Sequence, residues 1–175
     1  MRNTIDLLRH MHWADATVWH CILDTPSAKD DERVLKLCHH IHMVQRAFLK
    51  VWSLQDMKLP KIDDFAGLAA VATWAEEYHN MLPLFIATVT EAELERVVDV
   101  PWARYMEQRS GRKVVDATLG ETMLQVAMHS SYHRGQLNTR LRELGAEPPI
   151  VDYIAWVWLG RPSPIWPGQE HGMAI

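Results

Sequence analysis

The 175-residue sequence predicts an all-α protein, a four-helix bundle with a small hairpin or irregular excursion before its last long helix. Three observations carry that expectation. Four long segments repeat apolar residues at spacings of three, four and seven, the period of a helix buried on one face. No sustained apolar–polar alternation of a half-buried strand lies between them. Only residues 97–117 change character, and they do so briefly. Four amphipathic helices bury their stripes most simply against one another.

The first segment, residues 4–24, places Ile5, Leu8, Met11, Val18 and Ile22 on one face, with Asn3 or Thr4 as cap and Pro26 beyond its end. The second runs from about Glu32 to Leu54, with Val34, Leu37, Ile41, Val44, Phe48 and Val51 as its stripe and Pro60 in the linker that follows. These two are expected to pack as neighbours. The third, about Phe65 to Val89, carries Val71, Trp74, Tyr78, Leu82, Phe85 and Val89, with Asp63 and Asp64 as cap candidates. Pro83 inside it predicts a kink or a boundary. In VVDVPWARYMEQRSGRKVVDA, two β-branched runs flank a Ser-Gly turn signal, so a hairpin or irregular excursion is expected there. The fourth helix opens near Leu119 and closes at Gly145, ahead of Pro148 and Pro149. A short apolar segment, VDYIAWVWLG, and a Pro- and Gly-rich tail complete the chain, which reads as one domain, 1–175. The long third connection permits a crossover.

Composition narrows the function classes. The formal net charge is −4 and no basic run is present, which argues against a nucleic-acid partner. The N-terminus lacks an apolar leader core, and no stretch approaches the ~20 apolar residues that span a bilayer, so a cytoplasmic protein without membrane contact is expected. Cys21 and Cys38 form no C-x-x-C pair and read as buried apolar thiols. Ten histidines and eight tryptophans stand out. Trp52, Trp156, Trp158 and Trp166 exceed what one small core needs, and exposed aromatic patches mark interfaces, which points to a homodimer.

The chemistry concentrates in AMHSSYHRGQL, residues 127–137. His129 and His133 lie one helical turn apart and can reach one point in space. The apolar stripe Leu119, Met123, Val126, Leu137, Leu141 and Leu144 places His133 at spacings of seven and four from Val126 and Leu137, so both rings are expected to face the bundle. A buried ring without a partner costs about 1–3 kcal/mol. Each therefore needs a metal, a carboxylate or a backbone group. Gly135, mid-helix at a cost of about 1 kcal/mol, reads either as a close backbone approach or as an opening for substrate. In LCHHIHMVQRAFL, His40 shares the stripe of Leu37, Val44 and Phe48; His39 flanks it, and His42 sits near Cys38, Gln45 and Arg46. His40 is thus the inward candidate for a third ligand. His10, His12, His20, His79 and His171 read as surface or structural.

MHWADATV in the first helix, HIHMVQR in the second, and HSSYHRGQL followed by LGAEPPIVDYI resemble the DinB/YfiT-like family, in the right order and over essentially the whole chain. The resemblance implies a usually dimeric four-helix bundle holding a divalent metal on three histidines, here His40, His129 and His133. It departs at Gln45 and Phe48, where many relatives carry Glu and Trp. Three neutral imidazoles leave the ion's charge uncompensated and positions open, a set that suits zinc or nickel and admits iron, manganese or cobalt. Similar proteins include transferases acting with low-molecular-weight thiols. The expected function is an enzyme that activates a small thiol, or water for hydrolysis, on a small-molecule substrate. The alternative is a non-catalytic, stress-associated metal-binding protein. No general base stands out; Asp152 is the candidate outer partner of a ligand imidazole or else the cap of a short helix, with Glu121 and Asp15 weaker candidates.

Overall fold

The computed structural model describes residues 2–169. Four long helices form the bundle: α1 (Arg2–Asp24), α2 (Glu32–Trp52), α3 (Leu68–Ile86) and, later in the chain, α6 (Leu119–Glu143). Between α3 and α6 come α4 (Glu91–Leu94), β1 (Val97–Val98), α5 (Ala103–Ser110) and β2 (Ala117–Thr118); α7 (Tyr153–Trp158) follows α6. No helix among the described residues is long and apolar enough to cross a membrane.

Local chemistry explains most of the boundaries. The Asp31 side chain accepts from Val34 N at the start of α2, and Thr118 and Glu121 form a capping box on α6, each satisfying a backbone N–H that has no intrahelical partner. Gly145, at φ 86°, follows α6 in the left-handed conformation that ends helices. Other boundaries differ from expectation. Helix α1 already includes Asn3 and Thr4, so neither caps it. Helix α3 starts after Gly67, because Asp63 and Asp64 lie in a separate 3-10 turn where Asp64 accepts from Lys61 N. It runs through Pro83 and stops one turn later.

The excursion is a hairpin only at its base. Val97 pairs with Thr118 and Val98 with Ala117 in an antiparallel ladder, while ARYMEQRS between them is helical. Ala, Met, Glu, Gln and Arg all favour helix, and Gly111 at φ 67° closes it. The turn signal was therefore a helix stop.

Helix α1 packs on α6 and α3, and so does α2. The first two helices are thus diagonal partners, not neighbours, and the connections α1–α2 and α3–α6 each cross a diagonal. The apolar interior falls into two large clusters and a small third one of Trp13, Ala14 and Trp156. One gathers Trp19, Ile22, Cys38, Ile41, Val71 and Leu141; the other gathers Met11, Phe48, Trp52, Tyr78, Leu82 and Met123. On every helix a polar residue sits between the two: Asp15 on α1, His42 and Gln45 on α2, His79 on α3, Ser130 and Arg134 on α6, all buried. The bundle has a polar middle layer.

That layer corrects two phases. On α2 the buried stripe is Val34, Cys38, Ile41, Gln45, Phe48 and Trp52, so His42 is the fully buried histidine and His40 stands half-buried at the edge. On α6, Ser130 and Arg134 occupy the stripe, and His129 and His133 flank it half-exposed. An apolar-only criterion misplaces both, because polar residues fill the core positions. Three of the four surplus tryptophans, Trp52, Trp156 and Trp166, are buried; only Trp158, 78% exposed, remains on the surface. The aromatic argument for a dimer shrinks to that residue.

Candidate metal centre

The edge of the α2–α6 contact brings His40, His129 and His133 together. A nitrogen from each lies within 4.8 Å of one from the others, and ring centroids are 4.4–5.0 Å apart. His40 Nε2 and His129 Nε2 are 3.2 Å apart. Two nitrogens at 2.0–2.1 Å from a tetrahedral ion would stand about 3.3 Å apart, so this pair already has the spacing of two ligands. His133 Nδ1–H donates to Gln136 Oε1 at 2.8 Å, which turns its Nε2 lone pair outward to the site. His129 Nδ1 is buried with no partner, so the protein leaves this ring pair only partly satisfied. Burial, then His133 and His40, lowers the His129 pKa to about 4; burial, then His133, lowers that of His40. Neutral rings keep lone pairs free.

The middle layer sets this geometry. Asp15 Oδ1 accepts from Arg134 Nη1 at 2.6 Å, and Oδ2 accepts from Gln45 Nε2 at 2.7 Å and His79 Nε2 at 3.1 Å. Gln45 Nε2 also donates to Ser130 Oγ at 3.0 Å. Ser130 and Arg134 directly follow the two histidines of α6, so anchoring them fixes the helix's rotation and presents His129 and His133 to α2.

Asp15, His42 and His79 form a second group with ligand-type atoms in reach of one another. All but one of its ligand-type atoms are engaged within the protein; His79 Nδ1 is buried without a partner. His42 Nε2 accepts from Trp19 Nε1 at 2.9 Å and its Nδ1–H donates to Gln45 Oε1 at 2.8 Å. Both Asp15 oxygens accept hydrogen bonds as above. This group is fully buried and bonded to the core at its other atoms, so it reads as structural, whereas the histidine trio is half-open to solvent.

Comparison with known proteins agrees with the helical fold. A family model described as the DinB family matches residues 1–164. The chain belongs to the DinB family. A crystal structure of a DinB-like protein from Bacillus cereus aligns at TM-score 0.51 and 16% identity, covering 84% of this chain and 91% of that one, a likeness of fold. No curated protein matches the chain.

In this DinB-family bundle, Asp152 makes no hydrogen bond to any of the three imidazoles. It is exposed at the N-cap position of α7, where its side chain makes no cap hydrogen bond. The outer partner is Gln136, three residues after His133 on the same face, a position the i, i+3 rule points to. Asp15 serves the middle layer and Glu121 the capping box. His39 Nε2 contacts Pro60 O at 3.2 Å and its ring stacks on Trp74, away from the trio. His10, His20 and His79 are structural, each bonded to the protein; His12 accepts from Trp166 Nε1. His171 lies outside the described residues. Gly135 meets no other backbone: a Cβ there would find nothing within 4 Å. Nor does it open onto the histidines, since it lines a cleft on the far side of α6.

Proposed function

We propose that His40, His129 and His133 hold one divalent metal ion, zinc or nickel by ligand type, in a metal-dependent enzyme that activates a small thiol or water. The observation that carries this reading is three half-exposed imidazoles from two helices, with one nitrogen of each within 4.8 Å of those of the others. A closed structural site uses four protein ligands, whereas three leave a position for an exogenous group. Bound there, the ion would act as a Lewis acid, bringing a water to a pKa of about 7 or holding a thiol as thiolate.

The chain's own residues supply access and orientation. A cleft of 440 Å³ opens beside His40 and His133, with Arg33 and Lys36 on its wall to draw a carboxylate-bearing thiol. Gln136 holds the His133 tautomer, and the Asp15–Arg134 pair holds α6 in phase. Glu32, the one carboxylate in that lining, pairs with Lys36 at 2.6 Å and is the candidate for moving a proton.

Metal analysis of the purified protein, followed by conjugation assays with metal-loaded protein, glutathione and a panel of electrophiles, tests the reading. One ion per chain and turnover that disappears in His133→Ala support it. Bound metal that stabilises the fold without conjugation or hydrolysis would instead make this a non-catalytic metal-binding protein.

A further inference from the structure

On the side of α6 turned away from the three histidines, a cleft of 510 Å³ lies between α6, the start of α1 and the segment leading into α7. This is within the range of small-molecule sites, roughly 300–1,000 Å³. Leu7, Met128, Pro149 and Ile150 give it apolar walls. Gly135 lies in its lining, and a Cβ there would meet nothing within 4 Å. A mid-helix glycine that costs about 1 kcal/mol, and that no neighbouring backbone requires, serves the open space itself.

The polar groups of the cleft come in opposite pairs. Arg134 and Asn138, one turn apart on α6, are both at least nine-tenths buried and line the floor. Arg134 Nε, a donor, and Asn138 Oδ1, an acceptor, have no hydrogen-bond partner. Both atoms are sealed from solvent, so they lie beneath the floor and do not face a ligand in the cleft. Arg142 and Asp152, both exposed, also line the cleft, and no side-chain hydrogen bond or ion pair of either is found among the described residues. The Arg134 charge is already matched by Asp15, and His10 is engaged with Val151 O, so the free charges of the cleft are one cation and one anion.

We propose that this cleft binds a small zwitterion with an apolar body, an apolar α-amino acid or short dipeptide, at a site separate from the three-histidine centre. Its carboxylate faces Arg142, its ammonium faces Asp152, and its side chain lies against Leu7, Met128 and Ile150. A net anion would leave Asp152 opposed to it, and a net cation would leave Arg142 so.

Titration of the full chain with L-phenylalanine, phenylacetate and phenethylamine, followed by calorimetry and by amide chemical shifts, separates these ligand types. Expected is saturable binding of L-phenylalanine, with both half-analogues weaker by about tenfold or more, the change that corresponds to about 1.4 kcal/mol. Arg142→Gln and Asp152→Asn should each weaken binding by a similar factor. Gly135→Leu should abolish it while keeping the fold, since the new side chain enters open space and leucine favours helix. His40→Ala should leave it unchanged. Absence of saturable binding, phenylacetate or phenethylamine binding as well as L-phenylalanine, an unaffected Gly135→Leu, or loss in His40→Ala would each overturn the proposal.

Discussion

Asp15→Asn tests the middle layer that holds the candidate centre in shape. Asp15 and Arg134 are each 3% exposed by side chain and pair at 2.6 Å. Burial opposes the Asp15 charge, but Arg134, and next the His79 hydrogen bond, overcome it and hold the carboxyl far below the usual carboxylate range. The substitution keeps the shape and removes the charge. Arg134 is left as an uncompensated buried cation, and an amide group replaces one of two acceptor oxygens facing Arg134, Gln45 and His79. Removing one partner of a buried pair costs about 3–5 kcal/mol. Domain stabilities are about 5–15 kcal/mol, so the variant should remain folded but much weakened. For a chain of this size the loss corresponds to a fall in Tm of roughly 6–20 °C. Equilibrium urea unfolding is the assay, and a lower midpoint at unchanged slope is the expected result. Combining the change with Arg134→Met should cost less than the sum of the two alone, because the orphaned cation is gone. The sign with pH follows: a depressed folded pKa gives stability that is complete above the unfolded value near 3.9 and lost as pH falls below it. Asp15→Asn should therefore flatten the acid limb of the stability profile. A loss under about 1 kcal/mol, with the acid limb unchanged, would refute the role given to this pair.

His40→Ala, His129→Ala and His133→Ala should each abolish tight metal binding, while His39→Ala and His42→Ala keep the parent stoichiometry; His42→Ala emptying the site would relocate it. Gln136→Leu should weaken metal affinity by about 10–100-fold, the usual effect of losing a ligand's outer hydrogen bond, and an unchanged affinity by competition titration would remove Gln136 from the site. Metal affinity should fall as pH drops through and below the ordinary imidazole range near 6.5, since protonated rings cannot ligate. Burial lowers His129 to about 4, so that ring stays neutral well below the ordinary range; occupancy constant to pH 4 would point to carboxylate ligands. Sedimentation velocity should show a dimer, an expectation that now rests on the family resemblance and on exposed Trp158 beside Leu159; a monomer at every concentration would exclude it.

The four helices were legible because helical periodicity and end chemistry are local: Thr118 and Glu121 around the start of α6 and Gly145 past its end carry their meaning within a few residues. His129 and His133 were legible for the same reason, being one turn apart on one helix. Helix α5 was misread because ARYMEQRS lies between β-branched runs, and only its own propensity, with no buried face, marks it as helix.

His40 was reached through a stripe that the structure moves, and it joins the site from the edge of α2 rather than from its buried face. The sequence by itself determined the four long helices, the two ends of α6, and the pair of rings on it, since each depends on residues within one or two turns. Only the tertiary structure decided that His42 is held in the core and His40 stands at its edge beside His129, that Gln136 rather than Asp152 bonds the His133 ring, and that α1 lies diagonal to α2. Whether a buried polar side chain is satisfied depends on partners from other helices. Asp15, Gln45, His79 and Arg134 are spread across 120 positions of the chain, from 15 to 134, and no local period records that they meet.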